Sequence, residues 1–191
     1  MIEQERHGYS LAVWLVIASE ALLFAGLFAL YAAYRAEYPA EFRAGVAENV
    51  AWIGGTNTMV LLTSSFAMAW AVHSIRSGGR PKLALTIVLA LGGVFLVLKA
   101  VEWTGHVEHG IVPGNSGDLP LRGHALFFTL YYFMTGLHAA HVVAGLVLVA
   151  WILARVRRAR ETEVAGELVG VYWHFVDLIW VFLWPLFYLL R

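Results

Sequence analysis

Residues 125–154 read ALFFTLYYFMTGLHAAHVVAGLVLVAWILA, an unbroken run without Asp, Glu, Lys or Arg. About 20 residues suffice for a helix to cross the ~30 Å hydrocarbon core of a bilayer, so this run is long enough with turns to spare. Four more apolar runs, 11–33, 50–72, 83–103 and 168–190, also meet that requirement, and the five together account for most of the 191-residue chain. Only helices and closed barrels satisfy their backbone in lipid, and runs of this length are helical. The expectation is an all-α integral membrane protein: a bundle of five transmembrane helices making one membrane domain over residues 1–191.

Composition points the same way. Hydrophobic residues make up 60% of the chain and charged residues 14%, with mean hydropathy +0.70, whereas roughly a quarter of an ordinary soluble domain is charged. A net charge of zero gives no electrostatic footprint for nucleic acid. With no cysteine, disulfides, thiolate metal sites and thiol catalysis are excluded. Arg6 is flanked by Glu3 and Glu5, and the apolar run after it is too long for the core of a cleavable signal, so the first helix is expected to persist.

Alternate connections differ in basic charge. Arg6, Arg76, Arg80, Lys82, Arg155, Arg157, Arg158 and Arg160 fall on the N-terminal side, against Arg35, Arg43, Arg122 and Arg191 on the other. The positive-inside rule then predicts a cytoplasmic N-terminus and a periplasmic C-terminus. Aromatic belts fit: Trp14, Trp70, Trp151 and Trp173 toward the inner interface, and Tyr31, Tyr34, Trp52, Trp103, Trp184 and Tyr188 toward the outer one.

The longest connections, 34–49 and 104–124, lack the periodicity to build a second core. Gly78, Gly79 and Pro81 break the chain after the second run, and Pro113, Gly114, Asn115, Gly117 and Pro120 supply turn chemistry after the third. The basic segment 155–160 with Glu161, Glu163 and Glu167 reads as a solvated hairpin or a docking site. Ala21, Ala25, Ala29 and Ala33, and Gly136, Ala140 and Ala144, repeat at four-residue spacing, which permits close helix approach if it is not chance. Pro185 is expected to bend the last helix or sit in its final turns.

Ionisable groups within lipid cost ~2.5 kcal/mol or more, so they face the bundle interior, pair or touch water. Glu20 and Asp177 each lie about 14 Å in from the inner end of their runs, and His141 about 15 Å if its run ends near Trp151. Glu20, His138, His141, His174 and Asp177 are therefore expected to form a buried carboxylate and imidazole cluster. Glu20 would bond to His138 or His141, with Asp177 near His174. The cluster could fix helix register, carry protons or touch lipid headgroups; metal or haem ligation by His138 and His141 is a further alternative. Lys99 and Glu102, three residues apart at the outer boundary, are expected to pair and extend toward water. His106 and His109 follow with Glu102 and Glu108 nearby, where solvation competes with a divalent-metal site. Ser64, Ser65, Thr56, Asn57, Thr58 and Thr63 read as interhelical hydrogen-bonding groups. Motifs for a serine nucleophile, zinc hydrolysis, phosphate or dinucleotide binding are absent, and no catalytic residue is assigned.

Tyr172, Trp173, His174, Phe175, Val176, Asp177, Leu178, Ile179, Trp180, Val181, Phe182 and Leu183 resemble the C-terminal signature of subunit III of haem-copper terminal oxidases, the cytochrome c oxidase type. Ser19, Glu20, Phe24, Ala25 and Gly26, the segment around Asn57 and Thr58, and Thr135, Gly136, His138, His141, Val142 and Gly145 extend the likeness along the chain. Five helices resemble the shorter bacterial versions. The resemblance implies a non-catalytic subunit of a respiratory complex in the bacterial inner membrane, one that reduces oxygen and translocates protons. Haem and copper would lie in partner subunits, with subunit I as the main contact, subunit II nearby and phospholipid bound in a cleft. The subunit would stabilise subunit I and support proton uptake. Glu20 corresponds to that family's buried helix carboxylate, and His138, His141, His174 and Asp177 to its intramembrane polar positions; Lys99 stands where glutamine is common. An accessory subunit of a nitric oxide reductase or quinol oxidase is the nearest alternative, and a small proton or ion transporter is one of another class.

Overall fold

The computed structural model describes residues 2–116, 122–155 and 162–190. The elements are α1 (Ile2–Glu37), α2 (Pro39–Glu48), α3 (Ala51–Arg76), α4 (Lys82–Glu108), a hairpin of β1 (Ile111–Val112) and β2 (Asn115–Ser116), α5 (Arg122–Arg155), α6 (Thr162–Trp184) and a terminal π turn (Pro185–Leu189). Five helices are long and apolar enough to cross a membrane: Leu11–Glu37, Ala51–Arg76, Lys82–Glu108, Arg122–Arg155 and Glu163–Leu189. They run past most of the apolar stretches into polar ends, because backbone hydrogen bonding continues where the side chains return to water. Residues 157–160, Glu161, Gly117 and Pro120 fall outside the described residues.

Four helices close a ring: α3 packs on α4 and α6, and α5 packs on the same two. The fifth, α1, lies outside the ring against α5 and α6. Its buried side chains, Ile17, Phe24 and Tyr31, recur every seven residues, the signature of a narrow helix-packing seam. Leu11, Trp14, Leu15, Leu22, Leu23 and Leu30 on its other faces are exposed, as lipid contact or a further protein surface requires.

Small residues do let helices approach, but not through the two expected stripes. Ala21, Ala25, Ala29, Ala33, Ala140 and Ala144 are exposed within the chain. Close approach is made instead at Gly92 and Gly145, where added Cβ atoms would meet Trp173 at 3.1 and 2.8 Å. Trp173 itself is wholly buried in the ring, because these glycines leave room for its indole.

The connection 34–49 contains a helix that apolar periodicity did not announce. Pro39 occupies the first turn of α2, where its missing N–H costs nothing. Phe42 and Val46, one helical turn apart, are fully buried, the Phe42 ring meeting those of Tyr31 and Phe127 edge-on at 5.3 and 5.5 Å. At the opposite end of the bundle, α3 stops where Gly78 adopts φ +69°, a conformation that a Cβ disfavours.

Pro185 sits at the start of the π turn. Carbonyl oxygens left free at this helix end find partners elsewhere: Tyr31 Oη donates to Leu186 O at 2.7 Å and Asn49 Nδ2 to Phe187 O at 2.9 Å. Tyr31 and Tyr188 are thus interior hydrogen-bonding residues, 2% and 1% exposed, and not members of an outer belt. In the middle of the ring, Trp180 Nε1 donates to Thr58 Oγ1 at 3.0 Å, and Thr58 donates to Gly54 O at 2.9 Å. Trp180→Phe removes this hydrogen bond and leaves a cavity where the larger buried indole stood, so a loss of about 2–4 kcal/mol is expected, readable as a lower midpoint in thermal unfolding in detergent.

Candidate functional site

The interior carries two polar centres at different depths. On the N-terminal side of the ring, one helix turn of α5 presents His138 and His141, with different fates. His141 faces α1: its Nε2 lies 3.0 Å from Glu20 Oε2, and its Nδ1 donates to Leu137 O at 2.8 Å. With Nδ1 committed to that carbonyl, Nε2 is the ring atom left to meet the Glu20 carboxyl. Tyr172 of α6 donates to the His141 carbonyl at 3.2 Å, so α1, α5 and α6 meet here. The Glu20 and His141 side chains are 26% and 15% exposed, so this contact is only partly enclosed by the chain.

His138 instead points into the ring. Its imidazole packs on Trp180 at 5.2 Å and edge-on to Phe95 at 5.5 Å, and neither nitrogen has a protein partner among the described residues. Asp177 and His174, expected near each other, make no hydrogen bond among the described residues. His174 Nδ1 lies 2.6 Å from Ser65 Oγ of α3, whereas Asp177 is 4% exposed with both oxygens unpartnered. Three positions apart on α6, the two side chains stand only about 60° apart around the helix, yet the His174 ring bonds to α3 and not to its neighbour. The five residues therefore occupy separate small contacts and not one cluster.

The second centre corrects the reading of Lys99 and Glu102. They do pair, Nζ to Oε2 at 2.8 Å, but with side chains only 2% and 0% exposed. The reason is a set of phenols that replaces water around the ammonium. Lys99 donates to Tyr131 Oη of α5 at 2.9 Å and to Tyr188 Oη of the terminal turn at 2.7 Å, and Tyr188 donates in turn to Glu102 Oε2 at 2.7 Å. All three donors of the ammonium are used. The rings of Tyr131 and Trp180 add cation–π contacts at 4.6 and 5.2 Å. Four side chains thereby bind α4, α5 and the end of α6 at the level where α2 packs on the bundle. Sequence reasoning missed Tyr131 and Tyr188.

Among the described residues, His138, His141 and His174 do not converge on a common point. His141 has both nitrogens engaged, His138 is enclosed by aromatic rings, and His174 turns to a serine. Among the described residues no three His, Asp or Glu side chains come together as a metal-binding group. What the polar groups do is bond helix to helix. One external groove is large: about 680 Å³ between α1, α5 and α6, lined by Val13, Val16, Val147, Leu168, Val169 and other apolar side chains, with Tyr172 beside them.

A family model described as Cytochrome c oxidase subunit III matches residues 3–190. Cytochrome c oxidase subunit 3 of Synechocystis sp. is 33% identical over 184 residues, 93% of this chain and 74% of that protein. The Bacillus subtilis protein of the same name is 32% identical over 190 residues, 94% of this chain and 85% of its own length. A probable cytochrome c oxidase subunit 3 of Mycobacterium leprae is 31% identical over 184 residues, with 94% and 85% covered.

Proposed function

Since this chain belongs to the cytochrome c oxidase subunit III family, we propose that it is the non-catalytic third subunit of a respiratory haem-copper oxidase, packed chiefly on subunit I with subunit II nearby. The observation that carries this reading is the way its interior acids, imidazoles and phenols engage one another across helices, in a chain matched to the family from end to end. Oxygen reduction and proton pumping then belong to haem and copper in the partner subunits. This subunit's work is to brace subunit I, retain lipid and support proton uptake.

Its outer surface suits that work. Exposed Leu, Val, Phe and Trp side chains cover α1 and the outward faces of the ring, where lipid or a neighbouring transmembrane subunit supplies the solvent. The groove between α1, α5 and α6, about 680 Å³ and almost wholly apolar, has room for acyl chains. Basic residues are in excess on the side of the N-terminus and the Arg76 to Lys82 turn, which supports an N-terminus on the cytoplasmic face of a bacterial inner membrane and a C-terminus on the periplasmic face. Glu20 then lies on the proton-uptake half, in contact with His141. Residues 1–191 act as one membrane domain.

Co-purification followed by a reduced-minus-oxidised spectrum tests the assignment. Haem signals are expected with the complex and none from this subunit alone. Glu20→Gln keeps a hydrogen-bonding group beside His141 but removes the carboxyl. The oxidase haem spectra should stay unchanged while turnover lifetime or subunit retention falls. Loss of the haem signals from a still-assembled complex would overturn the accessory role.

A further inference from the structure

At the end of the bundle that holds α2, the Lys99 centre backs onto a pocket of about 430 Å³ between α2, the start of α3 and the last turns of α4. Two of its lining groups are buried polar side chains left incomplete by the protein. Glu102 uses Oε2 for Lys99 and Tyr188, whereas its Oε1 has no partner among the described residues. His106, one turn further along α4 and 6% exposed, has neither ring nitrogen bonded among them. His109 follows on the same helix face, and Glu48 of α2 closes the opposite wall, held by His124 Nε2 at 2.9 Å.

Buried polar atoms in native proteins almost always find a protein or water partner, and leaving one empty costs about 1–3 kcal/mol. A cavity holds water when it is roomy and offers each molecule two to four polar contacts. At ~30 Å³ per molecule, this pocket admits on the order of ten waters, with Glu48 and His109 as polar contacts toward its mouth and the buried Glu102 and His106 closing its inner wall. We propose that the pocket is a water-filled inlet through which the Lys99 and Glu102 pair exchanges protons with the aqueous phase at this end of the bundle. Tyr131 from α5 and Tyr188 from the terminal turn contact the pair, and Glu48 from α2 with His106 and His109 from the end of α4 line the pocket beside it. The inlet stops at the pair: beyond it, toward the N-terminal side, the ring is filled by Phe95, His138 and Trp180 in mutual contact. It is an exchange site and not a path through the membrane.

The cysteine-free chain allows a direct test on the assembled oxidase in membranes. Gly105→Cys places a lone thiol at the pocket, where an added Cβ meets nothing within 4 Å. Ile53→Cys places one on the inner wall, at a position 7% exposed. Both are expected to react with 2-(trimethylammonium)ethyl methanethiosulfonate, a charged reagent that works in water. Val97→Cys, 63% exposed on the outward face of α4, should react roughly a hundredfold more slowly, since the reagent must enter lipid to reach it. On transfer of the unmodified complex to D2O, the Lys99 ammonium bending band, identified by its absence in Lys99→Met/Glu102→Leu, should shift within minutes. A silent Gly105→Cys, a silent Ile53→Cys in a complex that still assembles, or an ammonium band unmoved after hours would each overturn the inlet.

Discussion

Lys99→Met is expected to destabilise the subunit by about 3–5 kcal/mol, the range found when one member of a buried ion pair is removed and the other is left behind. Methionine fills the volume of the lysine stem, so the loss is electrostatic and not a cavity. It strands Glu102, whose side chain is 0% exposed, with Tyr188 as its one remaining hydrogen-bond donor. It also leaves the Tyr131 hydroxyl without its ammonium. Lys99→Gln, which keeps a hydrogen-bond donor, should cost less. The decisive comparison is Lys99→Met/Glu102→Leu. Exchanging both charges for apolar groups of similar size is often neutral or stabilising, so the double variant should regain most of what the single variant loses. Unfolding midpoints in detergent and retention of the subunit in the complex measure this. A double variant as poor as Lys99→Met would mean that the lysine matters through its packing and not through its pairing with Glu102.

How much of this arrangement was readable beforehand depended on whether depth alone decides a contact. Counting residues from the inner ends of the apolar runs put Glu20 and His141 at one level, and the two meet at 3.0 Å. The same counting, applied to the far end, would have grouped Glu102, Tyr131 and Tyr188, all at about 28–30 Å from the same interface. Tyrosines were instead assigned to a belt, because amphipathic rings near a membrane boundary usually stand there. Helix rotation was not legible. Nothing in the order of residues says that His141 turns to α1 while His138 turns into the ring, or that His174 finds Ser65 and leaves Asp177 behind. Nor did the Phe42 and Val46 pair suffice to announce α2, since two apolar anchors on a ten-residue helix fall below any periodicity threshold. The alanine stripes misled for the opposite reason: small residues permit close approach but do not require it, and on α1 the seam follows Ile17, Phe24 and Tyr31 instead.

Gly54→Ala should be nearly as damaging as the loss of Lys99, although Gly54 touches none of the charged groups. An added Cβ at Gly54 would stand 2.8 Å from Cδ1 and Cε1 of Tyr188 and 2.9 Å from its Cγ, inside carbon–carbon contact distance. The neighbour that must yield is a buried ring whose hydroxyl is committed to Lys99 and Glu102, so it cannot swing away without opening the centre. Crowding of this kind costs about 1–3 kcal/mol, and losing a hydrogen bond to a charged partner adds about 1.5–3 kcal/mol. Gly55→Ala is the built-in control. It lies on the same helix turn with nothing within 4 Å of an added Cβ, and alanine is the better helix former by up to about 1 kcal/mol. It should therefore leave stability unchanged or slightly raised. Tyr188→Leu should cancel much of the Gly54 effect by removing the ring that is struck, giving strong non-additivity in a double-mutant cycle. Equal effects of alanine at 54 and 55, or simple additivity with Tyr188→Leu, would detach Gly54 from the Lys99 centre.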